Sequence, residues 1–173
     1  MNHFLAKLAK EAVESYVSEK KVIDPPQDTP KNYSQRRAGI FVTINKNKEL
    51  RGCIGTYGPT KNSIAEEVIA NAIAAASEDT RFDAVGKSDL PSLSYIVYIL
   101  QKPEPVKLLG ELDPKKFGII VFGTTSQRSS LLLPDLDGIN TADEQLACVC
   151  RKAGIDAGKE KLIIQKFRAD KFV

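Results

Sequence analysis

The apolar run Ala38-Gly39-Ile40-Phe41-Val42-Thr43-Ile44 is followed by a polar stretch, Asn45 to Glu49, and then by Leu50-Arg51-Gly52-Cys53-Ile54-Gly55-Thr56. Two strand-forming runs joined by so short a polar turn read as a β-hairpin, which commits this part of the chain to antiparallel pairing. Gly58-Pro59 ends the second strand. Strand side chains alternate between faces, so Arg51, Cys53 and Gly55 share one face, and Leu50, Gly52 and Ile54 the other. A thiol beside a guanidinium, with bare backbone around it, fits a reactive or ligand-approach site.

The rest of the pattern mixes helices with hairpins. Phe4, Leu5, Leu8, Ala9, Ala12, Val13, Tyr16 and Val17 recur at helical spacing. Both charge signs lie off that stripe, which favours packing on a core over lying on a membrane. The three prolines of Asp24 to Pro30 remove donors and fix φ, so this segment is an extended connection. Ser63-Ile64-Ala65-Glu66 reads as a capping box opening an alanine-rich helix to Ser77. Leu93 to Leu100, Gly118 to Phe122, Ser130 to Leu133 and Leu162 to Phe167 read as strands, and Asp113-Pro114 opens a helical turn through Lys116. Thr141-Ala142-Asp143-Glu144 caps a last helix that stops at Gly154. The order α-β-β-α-β-β-β-α-β describes an α+β domain with a mixed or mainly antiparallel sheet flanked by helices.

Composition narrows the function classes. The 173 residues suffice for one domain or two small lobes. A net charge of +3 with scattered Lys and Arg is too weak to imply nucleic acid. Lys31, Arg36 and Arg37, and separately Lys166, Arg168 and Lys171, form small basic groups without aromatic interleaving. No apolar run approaches the ~18 residues of a membrane span. Residues 1–21 carry charge throughout and lack a central apolar block, so no secretory leader is expected. Three cysteines, Cys53, Cys148 and Cys150, cannot all pair within one chain, which points to a reducing compartment and a cytoplasmic location.

Each candidate site has a plain alternative. Arg51 beside Cys53 would favour the thiolate; equally, Cys53 is a small residue in a tight strand whose glycines serve helix packing. His3 is the only histidine and lies in the N-terminal arm, so a Cys–His pair has little support. Arg51 and Arg81 could clamp a carboxylate or phosphate, or pair with Asp79, Asp83 or Glu66. The loop Thr124 to Ser130, with Arg128, could receive an anion through backbone donors and hydroxyls, or be a solvated turn. Metal sites fare poorly. Cys148 and Cys150 lie about 200° apart around a helix, and Asp135-Leu136-Asp137-Gly138 lacks the later ligands of a calcium loop. No tightly bound cofactor is expected.

Several segments together resemble the AMMECR domain family, whose prokaryotic members include the AmmeMemoRadiSam system protein A. They are Leu50-Arg51-Gly52-Cys53-Ile54-Gly55, Asp79-Thr80-Arg81-Phe82, Gly118-Ile119-Ile120-Val121, Arg128 with Leu131-Leu132-Leu133-Pro134, and Cys150-Arg151-Lys152-Ala153-Gly154. Many relatives carry Pro-Pro-Val after the second element, where this chain has Asp83-Ala84-Val85. The resemblance implies one domain spanning residues 1–173, with two lobes and a cleft between them, the larger lobe using both chain ends. It also implies work beside a Memo-like protein and a radical S-adenosylmethionine protein. The resulting expectation is a cleft protein that binds a small anionic ligand or a partner, with Arg51, Gly52, Gly55, Arg81 and Arg128 in the site. One rival is an enzyme using Cys53 as nucleophile or redox thiol. Another is a non-catalytic interaction module.

Overall fold

Among the described residues, eight strands, β1 (Ile40–Lys46), β2 (Glu49–Thr56), β3 (Leu93–Leu100), β4 (Glu104–Pro105), β5 (Gly118–Gly123), β6 (Ser129–Leu132), β7 (Leu162–Phe167) and β8 (Ala169–Phe172), form two four-stranded sheets, ordered β2-β1-β3-β8 and β4-β7-β5-β6. The computed structural model describes residues 3–173; Met1 and Asn2, the first two residues of the 1–21 segment read for a leader, lie outside the described residues. The chain divides into two compact units. The first runs to Leu100 and takes back Asp170–Val173; the second is Gln101–Ala169. The α+β class expected from the element order is what the structure has.

The first unit begins with α1 (Phe4–Glu19), whose buried stripe is Leu5, Leu8, Ala9, Ala12, Val13 and Val17. His3 caps it: Nδ1 accepts the Leu5 amide at 3.2 Å, and the ring stacks on Phe172. Lys20 ends the helix in the left-handed region, φ 58°. A short helix, α2 (Lys31–Ser34), follows the proline-rich connection. Then β1 (Ile40–Lys46) and β2 (Glu49–Thr56) form the expected hairpin. Its turn is tighter than the polar stretch suggested. Asn47 and Lys48 alone make it, at φ 53° and 72°, the positive pair that a two-residue hairpin turn requires.

Helix α3 (Ile64–Ser77) packs on this sheet, and β3 (Leu93–Leu100) pairs antiparallel with β1. Ser63 caps α3 by accepting the Glu66 amide, but the Glu66 carboxylate reaches back to Asn62 rather than Ser63, so only half of the expected box forms. Ile40, Val42 and Ile44 of β1, with Tyr95, Val97 and Ile99 of β3, face a core shared with α1 and α3.

In the second unit β4 (Glu104–Pro105), β5 (Gly118–Gly123), β6 (Ser129–Leu132) and β7 (Leu162–Phe167) pair antiparallel around a core of Ile119, Val121, Leu132, Val149, Cys150 and Ile155. Helix α4 (Ala142–Ala153) has a full capping box on Thr141 and Glu144 and ends at Gly154, φ 66°. On the end strand β6, Lys152 donates to the Leu131 carbonyl at 3.1 Å. The last strand, β8 (Ala169–Phe172), returns to the first sheet beside β3.

Candidate functional site

The Arg-Gly-Cys-Ile-Gly segment lies on β2, an end strand of its sheet. The pairing slips within it: Asn45 faces Leu50 and Ile44 faces Gly52, leaving Arg51 as an extra residue. Such a bulge re-aims a side chain and breaks the simple alternation of faces. Gly52 sits against the Ala75 carbonyl of α3, and Gly55 against the backbone and ring of Phe41 and the Ile40 carbonyl. The bare backbone at both glycines is filled by the protein itself.

The Arg51 guanidinium is engaged by the segment 83–89. Its Nη1 donates to the Asp83 carbonyl at 2.6 Å, and its Nη2 to the Ala84 carbonyl and the Asp89 carboxylate, each at 3.3 Å. Lys46 joins the same carboxylate at 2.7 Å, and the Gly86 amide donates to it. These hydrogen bonds, that of Lys46 foremost, hold the Asp89 carboxyl below its usual range. Arg51 is a brace that fixes the carbonyls of the Asp83-Ala84 turn.

The group beside Cys53 is the Asp79–Arg81 pair, just past the end of α3. Asp79 Oδ2 accepts the Cys53 amide at 2.8 Å. Arg81 forks onto the same carboxylate, Nε to Oδ1 at 2.9 Å and Nη2 to Oδ2 at 2.7 Å, and Nη2 also lies 3.4 Å from the Cys53 carbonyl. Asp79 is 7% exposed and Arg81 56%. The guanidinium, then the Cys53 amide, hold the Asp79 carboxyl well below the carboxylate range against the opposing effect of burial. Asp79 in turn raises Arg81, which also interacts electrostatically with Cys53. Thr43 of the neighbouring strand donates its hydroxyl to Cys53 Sγ at 3.3 Å. Arg81 interacts electrostatically with Cys53, a neighbour that strand alternation does not select.

An open depression of about 440 Å³ adjoins this pair, lined by Arg51, Thr80, Arg81, Phe82 and Asp83. Arg81 lies over the Phe82 ring, 5.4 Å from its centre. Nη1 of Arg81 makes no hydrogen bond among the described residues, so one edge of the fork still faces outward. Chemically the cluster offers a fixed guanidinium, a thiol with a hydroxyl donor and a polar surface.

Arg128 belongs to the second unit. Its Nη1 donates to the Gly154 carbonyl at 2.7 Å, at the C-terminus of α4. The loop considered as an anion receiver does hold a carboxylate, its own unit's Glu160. The amides of Thr125 and Ser126 donate to Glu160 Oε2 at 2.9 and 3.0 Å. The Ser126 amide foremost pulls the Glu160 carboxyl below its usual range. Cys150 is buried in the second core, and burial pushes its thiol up. Among the described residues no three His, Cys, Asp or Glu side chains are grouped to hold a metal ion. No described helix is long and apolar enough to cross a membrane.

Glu67 is the residue sequence reasoning missed. It is 1% exposed. Its Oε1 accepts the hydroxyls of Thr56 and Thr60 at 2.9 and 2.8 Å, and its Oε2 the amides of Thr60 and Lys61 at 2.7 Å each. Burial works to raise its pKa, but the four donors outweigh it and the net shift is downward. A signal was present: Glu67 and Asn71 stand beside Ile64, Val68 and Ala72 on the apolar side of α3, where an unpaired carboxylate would be costly.

The molecule is thus an α+β protein whose candidate site is an ion-paired patch on the edge of a four-stranded sheet. It belongs to the AMMECR1 family, whose model matches residues 6–172. A protein of Thermotoga maritima is 44% identical over 171 residues, covering 98% of this chain and 97% of that one. A protein of Clostridium acetobutylicum is 42% identical over 162 residues, covering 93% of this chain and 34% of that longer one. The crystal structure of an uncharacterised protein from Pyrococcus horikoshii matches with a TM-score of 0.89 at 32% identity, over 98% of this chain and 89% of that one. The family membership read from the motifs is borne out.

Proposed function

We propose that the chain binds a small anionic group, a carboxylate or a phosphate, in the depression beside Arg81. The observation that carries this reading is the exposed guanidinium held rigid by Asp79 with one edge of its fork turned outward. Guanidinium geometry suits a planar or tetrahedral oxyanion, and a pre-positioned fork loses little entropy on binding. Arg51 acts here as the support of the Asp83-Ala84 turn, and Arg128, in the second unit, braces the end of α4. The test is calorimetric titration with inorganic phosphate and with succinate. Binding abolished by Arg81→Ala in a variant that remains folded at the titration temperature supports the reading. No heat with either anion, or equal affinity in the variant, ends it.

The chain would act together with partner proteins. A Memo-like protein and a radical S-adenosylmethionine protein are the partners implied by family resemblance, and co-purification of each with the tagged chain is the check.

A second reading gives Cys53 a chemical role as nucleophile or redox thiol. It is favoured by the Thr43 hydroxyl at Sγ and by the electrostatic contact with Arg81. Turnover of a carbonyl or thioester substrate lost in Cys53→Ser, with the fold intact, would support it. Strand addition by a partner along β2 is disfavoured at Cys53, because Asp79 and Arg81 already engage both backbone groups there.

A further inference from the structure

The loop after β2 is held more firmly than a surface turn needs, and it displays an exposed aromatic ring. Tyr57 is 64% exposed. The residues after it are locked from two sides. From below, the buried Glu67 carboxylate accepts the Thr60 and Lys61 amides and the Thr60 hydroxyl. From the flank, Arg37 donates Nε to the Lys61 carbonyl at 2.8 Å and Nη2 to the Pro59 carbonyl at 3.4 Å. The Tyr57 carbonyl packs on Gly39, which leaves room for it by having no side chain.

The same surface carries more cations than ion pairs to hold them. Arg36 adjoins the loop, its carbonyl accepting the Ile64 amide at 2.8 Å. Arg36, Arg37 and Lys61 are all exposed, and none forms an ion pair among the described residues. The nearby carboxylates of Glu66 and Glu67 keep their charge but are turned to backbone donors, and neither pairs with these three cations. A buried carboxylate is a costly way to order a turn. Such an investment is understandable where the turn must be pre-shaped for recognition.

We propose that the Tyr57–Lys61 loop, with Arg36 and Arg37, is a docking surface for an acidic segment of a partner protein. Tyrosine and arginine dominate the energetics of protein interfaces, and a ring on a rigid loop loses little freedom on binding. The unpaired cations select a partner rich in Asp and Glu and speed its encounter. A single exposed ring with three cations lacks the stacked aromatic platform by which single-stranded nucleic acid is bound. This surface is separate from the Arg81 depression, and its fate is independent of that reading.

The experiment is fluorescence anisotropy on the full chain with a fluorescein-labelled peptide of glutamates around a central leucine. A single-stranded DNA oligonucleotide of equal charge serves as the competing probe. Saturable binding of the peptide is expected, weakened roughly tenfold or more by Tyr57→Ala and by Lys61→Glu, and weakened by added salt. Both positions are exposed, and circular dichroism verifies that the variants are folded. Absence of saturable peptide binding overturns the proposal, as does equal affinity in Tyr57→Ala. Tighter binding of the oligonucleotide than of the peptide also overturns it and assigns the surface to nucleic acid.

Discussion

Asp79 accepts the amide hydrogen of Cys53 at 2.8 Å, so a carboxylate stands where a neighbouring strand would otherwise pair. The carboxylate and the guanidinium make unequal contributions. Asp79→Ala leaves a half-buried amide without its acceptor, at a cost of about 1–3 kcal/mol. Arg81→Ala removes a largely exposed cation, for which about 1 kcal/mol or less is expected. Urea denaturation of both variants gives the order. An Arg81 variant as unstable as the Asp79 variant would mean that the guanidinium, not the carboxylate, holds the edge.

Acid should destabilise the first unit through Asp79 and Glu67. Both carboxyls lie lower in the folded protein than their ordinary values, because the charged form receives hydrogen bonds. Their contribution is complete above the unfolded values of about 3.9 and 4.3. It is lost as pH falls below those values towards the lower folded ones. Melting temperature measured against pH should be flat near neutrality and fall on the acid side. Glu67→Gln should lower stability at neutral pH and flatten that fall; an unchanged acid slope would remove Glu67 from the account.

Gly52 and Gly58 should differ sharply on substitution. A methyl group at Gly52 meets the Ala75 carbonyl, whereas at Gly58 it meets nothing within 4 Å. Gly52→Ala should cost about 1–3 kcal/mol by overpacking, with Gly58→Ala close to neutral. Equal melting temperatures for the two variants would contradict the packing described for α3 on β2.

Cysteine alkylation reports which cation serves Cys53. Cys150 is buried and its thiol is pushed up, so it should react slowest until the protein unfolds. Arg81→Ala should slow alkylation of Cys53 more than Arg51→Ala does, since Arg81 is the electrostatic neighbour. Peptide mass spectrometry of timed samples reads each site. The opposite order would restore Arg51 to the role that alternation gave it.

What was legible in the sequence is what local chemistry decides. Leu93–Leu100 and Leu162–Phe167 are strands at the residues where β-branched and aromatic runs put them. The caps at Ser63 and Thr141 and the stop at Gly154 follow from single side chains. Elements made by tertiary pairing left no such mark. Ala169–Phe172 has no apolar alternation, and Glu104–Pro105 is too short to show one. The segment at Cys53 was visible, but its neighbours were not. One extra residue at Arg51 breaks the simple alternation, and Arg81, whose guanidinium reaches the Cys53 carbonyl, stands 28 residues from Cys53 in the chain.

Strand β8 completes the sheet that carries the Cys53 site, yet it follows the whole second unit in chain order. During synthesis α1 and strands β1 to β3 leave the ribosome first and must wait for this last strand. Phe172 of that strand then stacks on His3, joining the earliest described residue to one of the latest. The nascent first unit is therefore held one strand short while the second unit emerges. A message truncated before Ala169 would yield a chain with an open sheet, a natural substrate for chaperones or proteases.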